Sequence, residues 1–216
     1  MIVNEIFYSL QGEGFLAGLP SVFVRLAGCP LRCKWCDTEY AWDYAAGRDY
    51  DIERIVGDVL QHRCGYVVIT GGEPMVNADL PKLTQNLKAA GKHITVETAG
   101  IVFMPDMACD LMSISPKLSN SGNGLKPDVA VLKDLTGSYN YQMKFVVDSE
   151  QDIAEINQVI EKIGCVDLEK VMLMPQARTR DELLAKSPMV AGLCKRSGFM
   201  FCQRLQILLW DNQRGT

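Results

Sequence analysis

Three cysteines stand within eight residues near the start of the chain, in the stretch GCPLRCKWCD (28–37). Their spacing, C-x3-C-x2-C, places Cys29, Cys33 and Cys36 on one short loop. Three thiolates so placed can hold three corners of a cubane iron–sulfur cluster, because soft sulfur ligands suit iron. The fourth corner then has no protein ligand nearby. In a catalytic cluster, that open corner is where a substrate or cofactor coordinates, as at the open position of catalytic zinc.

A zinc site completed by a distant Cys or His is the alternative to a cluster. The two histidines of the chain are His62, late in a predicted helix, and His93, at the start of a predicted strand, so neither is an obvious fourth ligand. The spacing therefore favours a cluster. The other cysteines show no ligand spacing and are interpreted as buried small hydrophobes or incidental thiols; they are Cys64, Cys109, Cys165, Cys194 and Cys202.

Composition narrows the class of protein. The chain has 216 residues, is 48% hydrophobic and carries a formal net charge of -4, which predicts one globular domain over residues 1–216 and gives no reason to expect nucleic-acid binding. No run of about 18 apolar residues appears, so we expect no membrane partner. The N-terminus lacks a basic region followed by an apolar stretch, so the expected location is cytoplasmic. Clustered cysteines in such a compartment are more often metal ligands than disulfides.

Short β-branched runs alternate with amphipathic helical stretches. Strands are predicted at 21–28, 66–70, 93–98, 111–115, 142–147, 170–175 and 204–210, and helices at 51–63, 78–91, 150–164 and 179–198, the last with a break near Pro188. Such alternation favours parallel pairing with right-handed crossovers. The number of strands is too small for a closed eight-fold barrel. The predicted fold is therefore α/β, a reduced, open β/α barrel (partial TIM-like) of about six parallel strands, with its site at their C-terminal ends.

A second motif, GGEP (71–74), directly follows the predicted strand at 66–70. Alone it is typical of an ordinary turn. Paired with C-x3-C-x2-C after an earlier strand, it resembles the signature of radical S-adenosylmethionine enzymes. That resemblance implies a [4Fe-4S] cluster on Cys29, Cys33 and Cys36, and S-adenosylmethionine held through its amino group by the GGEP segment.

Further stretches resemble the 7-carboxy-7-deazaguanine synthase family over almost the whole chain. They are EIFYSLQGEG (5–14), VFVRLAGC (22–29), CDTEYAWD (36–43), VVITGGEP (67–74), VETAG (96–100), SISPK (113–117), LMPQ (173–176) and the terminal LWDNQRGT. The resemblance implies a radical carbon–nitrogen lyase of queuosine and deazapurine biosynthesis. It would contract 6-carboxy-5,6,7,8-tetrahydropterin to 7-carboxy-7-deazaguanine with loss of ammonia, by hydrogen abstraction with a 5′-deoxyadenosyl radical.

The same resemblance assigns site residues. It implies Mg²⁺ on Thr38 and no protein acid or base, since the cluster and cofactor carry the chemistry. Residues implied for S-adenosylmethionine are Gly72, Glu73, Glu97, Ser115, Pro116, Lys117, Met174, Pro175, Gln176 and Ala177. Residues implied for the pterin are Leu10, Gln11, Gly12, Arg25, Thr70 and Thr216.

The chemistry of several matched residues agrees with these roles. Gln11 and the flexible backbone after it can contact the edge of a planar heterocycle, and the guanidinium of Arg25 suits a carboxylate. The hydroxyl of Thr38 is the hard oxygen ligand that Mg²⁺ prefers. Three of the assigned residues also have a plainer interpretation: a solvated strand end for Arg25, a local turn beside Asp37 for Thr38, and a surface position for Lys117.

One position departs from the family pattern. Members commonly carry a histidine in the last predicted strand, whereas RLQILLWDNQRGT (204–216) has Gln206 and Trp210. A glutamine can donate and accept hydrogen bonds but cannot carry a proton charge near neutrality. An acid–base role there is therefore in doubt, and we expect Gln206 to orient the substrate instead.

The expected partners are the small pterin substrate, a reductant such as flavodoxin, and a second copy of the chain in a homodimer. Two other functions remain open from the residues. A glycyl-radical activase acting on a partner protein shares the cysteine loop but would not need QGEG (11–14) or a magnesium ligand. A non-catalytic iron–sulfur electron carrier would not cleave S-adenosylmethionine.

Overall fold

Nine strands form one mixed sheet in the computed structural model of the chain, which describes residues 1–211 and 213–216. In chain order the strands are β1 (Ile2–Leu10), β2 (Pro20–Leu26), β3 (Arg48–Asp49), β4 (Tyr66–Gly71), β5 (His93–Thr98), β6 (Leu111–Ile114), β7 (Tyr141–Val147), β8 (Val171–Pro175) and β9 (Met200–Phe201). The helices are α1 (Ile52–Leu60), α2 (Leu80–Ala89), α3 (Val129–Ser138), α4 (Asp152–Ile163), α5 (Arg180–Ser197) and α6 (Leu205–Trp210).

The strand order across the sheet is β3-β1-β2-β4-β5-β6-β7-β8-β9. From β2 to β9 every neighbouring pair is parallel, whereas β1 runs antiparallel to β2 and β3 antiparallel to β1. Within the described residues the two edge strands, β3 and β9, do not pair, so the sheet stays open. Six parallel strands of four residues or more, followed by the two-residue β9, confirm the predicted open β/α barrel.

The core lies between this sheet and its helices. Every residue of β7 and β8 is buried, and the apolar faces of α1 and α2 pack on the same side as Leu26 and Ile69. Strands covered on both faces read as continuous apolar runs, which is why the sequence reveals them. Side-chain caps start α1, α3 and α5; at α1 the carboxylate of Asp51 accepts from Arg54 N at 2.7 Å.

The prediction of a strand at 204–210 is wrong, because Leu205–Trp210 is a helix, α6. The place beside β8 is taken by the short β9, in which Met200 pairs with Met172. The following apolar run turns away from the sheet, buries Ile207 and leaves Leu208 39% exposed. A short apolar run of this length fits a strand and a helix equally well, so its pattern could not decide.

The predicted break near Pro188 is also wrong, because α5 is helical from Arg180 to Ser197. Proline lacks the N–H that would donate to the carbonyl four residues earlier, here that of Leu184. Leu184 is 55% exposed, so water can satisfy its carbonyl and the helix continues.

Four of the described strands and helices were not predicted: β1, α3 and the two-residue strands β3 and β9. The segment after β1 crosses the inner face of the sheet: the side chain of Gln11 reaches Glu97 in β5, and Phe15 N donates to Gln142 Oε1 in β7 at 2.8 Å. Gln11, Gly12 and Glu13 of this crossing segment line the cleft described below. Across the described residues, no helix combines the length and the apolar character needed to cross a membrane.

Candidate active site

A cleft of about 290 Å³ opens at the C-terminal ends of the parallel strands and extends along their inner face. Alternate residues of neighbouring strands point to the same face of a sheet. The inward positions here carry polar side chains in otherwise apolar strands: Thr70 in β4, Glu97 in β5, Ser113 in β6 and Lys144 in β7 all line the cleft. The predicted place of the site, at the strand ends, agrees with this cleft.

The cysteine loop follows directly from β2 and forms one wall of the cleft, with Cys29, Cys33 and Cys36 in its lining and all three thiols free. Backbone hydrogen bonds hold the loop: Cys29 N donates to Trp42 O at 2.9 Å, and Cys36 N donates to Cys33 O at 3.1 Å. Thr38 N donates to Cys36 Sγ at 3.4 Å. One ordered loop therefore presents three sulfur atoms to the cleft.

The charge balance of these thiols fits an iron–sulfur cluster. Burial raises the pKa of Cys29 and of Cys36, and negative neighbours, including the other thiols of the loop, raise it further. Three thiolates placed together need a compensating positive charge, which iron supplies. In the described part of the chain, no three His, Cys, Asp or Glu side chains are placed to hold a single metal ion. Three free thiols on one loop suit a cluster that takes each thiolate on a separate iron.

The GGEP backbone runs beside the start of the cysteine loop. Gly72 N donates to Leu26 O and Glu73 N donates to Gly28 O, both at 2.9 Å. A Cβ on Gly72 would lie 2.0 Å from Gly28 O, and Gly71 has a φ of +130° and equally little space. Only glycine fits both positions, so main-chain groups border the cleft here at close range.

Glu73 contributes to this arrangement through buried hydrogen bonds. It is 1% exposed, and its carboxylate accepts from Met75 N at 3.1 Å, from Thr98 Oγ1 at 2.7 Å and from Ala99 N at 2.7 Å. Burial raises its pKa against the effect of these donors. Its oxygens tie the end of β4 to the end of β5, so the side chain fixes the GGEP turn.

Several residues predicted for two different ligands meet around Glu97. Its carboxylate accepts from Thr70 Oγ1 at 2.8 Å and from Gln11 Nε2 at 3.3 Å, and it lies 3.7 Å from Lys144 Nζ. Thr70 and Gln11 are predicted to contact the pterin, whereas Glu97 is predicted to bind S-adenosylmethionine. The structure places Glu97 beside Thr70 and Gln11 in the cleft.

Arg25 lies at one end of the cleft and is held by Glu5. Its Nε donates to Glu5 Oε1 at 2.7 Å, and its guanidinium lies over the rings of Phe7 and Tyr40. Burial would raise the pKa of Glu5, but Arg25 and Arg214 outweigh that effect and lower it. The remaining residues predicted for the pterin also line the cleft; they are Leu10, Gly12 and Thr216. The backbone oxygen of Thr216 accepts from the hydroxyl of Ser9.

Thr38 lines the cleft just after the third cysteine. Its hydroxyl donates to Asp37 Oδ1 at 2.7 Å, and the other oxygen of that carboxylate accepts from the guanidinium of Arg204. A hydroxyl beside a carboxylate offers hard oxygen atoms of the kind that Mg²⁺ prefers. The donor set at Thr38 therefore fits a magnesium ion.

The residues predicted for S-adenosylmethionine divide into two groups. Ser115, Lys117 and Met174 line the cleft, with Lys117 Nζ 2.9 Å from Ser115 Oγ. In the described part of the chain, four others lie outside its lining; they are Pro116, Pro175, Gln176 and Ala177. The side-chain oxygen of Gln176 accepts from the Lys186 ammonium on α5, and Ala177 O accepts from Arg204.

A buried group of charges at the centre of the cleft was not predicted. Lys144, 3% exposed in its side chain, lies 2.8 Å from Glu13 Oε2, and Arg204 Nε lies 3.2 Å from Glu13 Oε1. Burial would raise the pKa of Glu13, but the two cations outweigh it and lower the pKa to about 2. A lysine inside an otherwise apolar strand, as in QMKFVV (142–147), is the sequence signal that could have revealed this group.

The two positions that depart from the family pattern lie in different surroundings. Gln206 faces the cleft from α6, and its Nε2 donates to Glu13 Oε1 at 2.9 Å. Its Oε1 is packed against Gly12 and has no hydrogen-bond partner among the described residues. Trp210 instead lines a separate, apolar depression with Tyr8 and Pro20.

Comparison with known proteins agrees with this geometry. The sequence profile of the Radical SAM superfamily matches residues 24–163, which include the cysteine loop and GGEP. A protein of Rhodopirellula baltica named 7-carboxy-7-deazaguanine synthase is 38% identical, over 100% of this chain and 89% of the relative. The chain belongs to the 7-carboxy-7-deazaguanine synthase family of radical SAM proteins.

Two further members support the family assignment. A 7-carboxy-7-deazaguanine synthase of Halobacterium salinarum is 38% identical, over 99% of this chain and 92% of the relative. The crystal structure of QueE from Escherichia coli superposes with a TM-score of 0.71 at 25% identity, covering 93% of this chain and 92% of that one. Radical SAM proteins use a [4Fe-4S] cluster and S-adenosylmethionine, and the free thiols of Cys29, Cys33 and Cys36 fit that cluster.

Proposed function

We propose that this member of the 7-carboxy-7-deazaguanine synthase family is itself such a synthase. It is a carbon–nitrogen lyase that converts 6-carboxy-5,6,7,8-tetrahydropterin to 7-carboxy-7-deazaguanine with loss of ammonia, in queuosine and deazapurine biosynthesis. The observation that carries the proposal is a single cleft in which the three thiols face a floor of buried polar groups: Gln11, Thr70 and Glu97 beside Lys144. An electron carrier has no need of such a floor.

The floor has the polarity that a reduced pterin requires. The carboxylate of Glu97 and the side-chain oxygen of Gln11 can accept hydrogen bonds from the N–H groups of the heterocycle. Because Thr70 and Lys144 hold Glu97 from the other side, its carboxylate keeps one orientation. A site built to pair with N–H groups rejects molecules that lack them, since its own polar atoms would be left unpaired.

The substrate carboxylate has two candidate partners. Within the described residues, the guanidinium of Arg25 uses only Nε in its bond to Glu5, so its terminal nitrogens remain for the carboxylate. We place Mg²⁺ at Thr38, where the ion would take the hydroxyl now bonded to Asp37 and share the substrate oxygens. Together these positions would fix the end of the substrate that bears the reacting carbon.

The rest of the cleft serves the cofactors. When bound, the cluster and S-adenosylmethionine supply the radical that removes a hydrogen atom from the substrate. Cys29, Cys33 and Cys36 would hold the cluster, and the close GGEP backbone with Ser115 and Lys117 would hold S-adenosylmethionine. The protein needs no acid or base for hydrogen abstraction. Its residues bind, orient and exclude water, as the buried Glu13 and Lys144 do.

An anaerobic assay with the carboxylated pterin, S-adenosylmethionine, Mg²⁺ and a chemical reductant tests the proposal. We expect conversion to the deazaguanine, detected by mass, and about four irons per chain after reconstitution. Each alanine variant of Cys29, Cys33 and Cys36 should lose turnover, because the cluster cannot replace a missing thiolate. Cleavage of S-adenosylmethionine without turnover of the pterin would favour a glycyl-radical activase. A cluster without cleavage would indicate an electron carrier.

The remaining parts of the proposal concern organisation and partners. We propose one catalytic domain over residues 1–216, a cytoplasmic location, a reductant such as flavodoxin, and a homodimer. Exposed apolar side chains on β1 and α6 support self-association, with Tyr8 47% and Leu209 45% exposed. Light scattering on the purified chain gives the oligomeric state, and a coupled assay with reduced flavodoxin in place of dithionite tests the donor.

A further inference from the structure

The segment 119–126 is seated against the cysteine loop. Lys34 N donates to Ser121 O at 2.8 Å, and Trp35 Nε1 donates to Asn120 O at 3.1 Å. Asn123 Nδ2 lies 3.5 Å from Cys33 Sγ. In the first two contacts, backbone carbonyls of the segment accept from residues that lie between Cys33 and Cys36. The third contact reaches the sulfur atom of Cys33.

The other side of this segment is anchored to the body of the fold. Asn120 Nδ2 donates to Val146 O in β7 and to Asp152 Oδ2 in α4, both at 2.9 Å. Ser119 N donates to Glu155 Oε1 at 3.0 Å. The segment is therefore attached to the sheet, to a helix and to the cysteine loop together, so its position relative to Cys33 is fixed.

Hydrogen bonding also sets the orientation of the Asn123 amide. Its Oδ1 accepts from Leu125 N at 2.8 Å, and its Nδ2 lies 2.9 Å from Ser121 Oγ. An amide rotated by half a turn would place Nδ2 against the Leu125 N–H, two donors facing each other. The N–H group of Asn123 must therefore be the one that faces Cys33 Sγ.

We infer that Asn123 is a positioning residue for the cluster, donating a hydrogen bond to the Cys33 sulfur and thereby making the cluster easier to reduce. A donor at a ligating sulfur stabilises negative charge there, and the reduced cluster carries one electron more than the oxidised cluster. Hydrogen bonds to sulfur are among the factors that set cluster potentials. The inference rests on the proposed cluster at Cys33.

The test is a redox titration of the reconstituted full chain, monitored by electron paramagnetic resonance, without substrate. Asn123→Asp keeps the oxygen that accepts from Leu125 N and removes the donor. Asn123→Ala removes both the accepting oxygen and the donor without adding charge. Leu125→Ala, at a 55% exposed position of the same segment, is the matched control. We expect both Asn123 variants to hold about tenfold less reduced cluster at a given solution potential, a shift of about 59 mV for one electron, with the control unchanged.

The pattern of results decides the inference. A shift in Asn123→Asp alone would trace the effect to its added negative charge, and a shift in Asn123→Ala alone would trace it to loop geometry; either overturns the hydrogen bond. Potentials equal to wild type in both variants overturn it as well. As a second readout, the iron–sulfur stretching bands of the wild type should respond to D₂O more than those of Asn123→Asp. A wild-type chain that takes up no iron would instead contradict the proposed function itself.

Discussion

Lys144 and Glu13 are 131 residues apart in the sequence, yet their charged atoms lie 2.8 Å apart at the centre of the cleft. Arg204 completes the group from the other side of Glu13. One carboxylate between two buried cations keeps the centre charged and rigid. Since Lys144 also lies near Glu97, a substitution at Glu13 is expected to alter the position of Glu97 as well.

Glu13→Gln is expected to destabilise the fold by about 3–5 kcal/mol near neutral pH, because it leaves two buried cations without their shared carboxylate. The pKa of Glu13 falls from 4.5 in the unfolded chain to about 2 in the fold. Its contribution is therefore complete above pH 4.5 and is lost as the pH falls toward 2. Denaturant unfolding at pH 7, 5, 4 and 3 should show the deficit of the variant shrinking with acidity.

The control for that series is Glu150→Gln, which removes the same charge from an exposed pair with Arg196. Exposed pairs contribute little, so its stability should follow the wild type at every pH. A Glu13→Gln deficit that stays constant down to pH 3 would mean that Glu13 does not keep its charge in the fold.

Gly72→Ala is expected to prevent cluster assembly. The added Cβ would lie 2.0 Å from the carbonyl oxygen of Gly28, in the backbone that leads into the cysteine loop. Iron content after reconstitution should fall well below that of the wild type. Gly57→Ala is the matched control: it has open space around its Cβ inside α1, where alanine should stabilise the helix by about 0.5–1 kcal/mol. Full iron content in Gly72→Ala would show that the GGEP turn and the cysteine loop can move apart to admit the added Cβ.

Thr38→Ala is expected to lower turnover and to weaken its dependence on Mg²⁺ while iron content stays unchanged. The hydroxyl that it removes is the proposed ligand of the ion, whereas the three thiols are untouched. Thr38→Ser keeps a hydroxyl and should retain most of the response. Turnover of the wild type that ignores both added Mg²⁺ and chelation would remove the basis for the magnesium site.

Gln206 offers a test of its neutral amide. Gln206→Leu removes the bond to Glu13 but also removes the buried Oε1, which has no partner among the described residues. These effects oppose each other, so the free energy of unfolding should change by less than about 1.5 kcal/mol. Gln206→Glu places a second carboxylate beside Glu13 and should cost more, an excess that disappears in acid. Equal stability of the two variants at pH 7 would show that the side chain is not held at Glu13.

The parallel strands from β2 to β8, and their connecting helices other than α3, could be predicted from the sequence because strands buried on both faces, such as β4 and β8, are largely apolar runs between clear turns. The helix α6, predicted as a strand, could not be recognised in this way. The run containing Gln206 satisfies either period, and the place beside β8 that it would take as a strand is occupied by β9. Local pattern does not contain that information.

Local sequence pattern also predicts the candidate site only in part. Spacing alone predicts Cys29, Cys33 and Cys36 as ligands of one cluster, and the structure brings all three into the lining of the cleft. The roles suggested for Glu97 and Gln176 depended on neighbours distant in sequence, and the structure places them beside Thr70 and Lys186. In the sequence Lys144 is a lone charge within an otherwise apolar strand, and only the fold places Glu13 opposite it.

The group formed by Glu13, Lys144 and Arg204 has a consequence for biogenesis. Glu13 and Arg204 are 191 residues apart, and Arg204 also bonds to Asp37, next to the third cysteine. During synthesis the three cysteines leave the ribosome long before Arg204 does, so the cysteine loop is then without the contact that secures its far end. Iron delivered to a nascent chain would meet an unsupported loop. Cluster insertion is therefore expected to follow synthesis of the segment that contains Arg204, whose contact with Asp37 supports the cysteine loop.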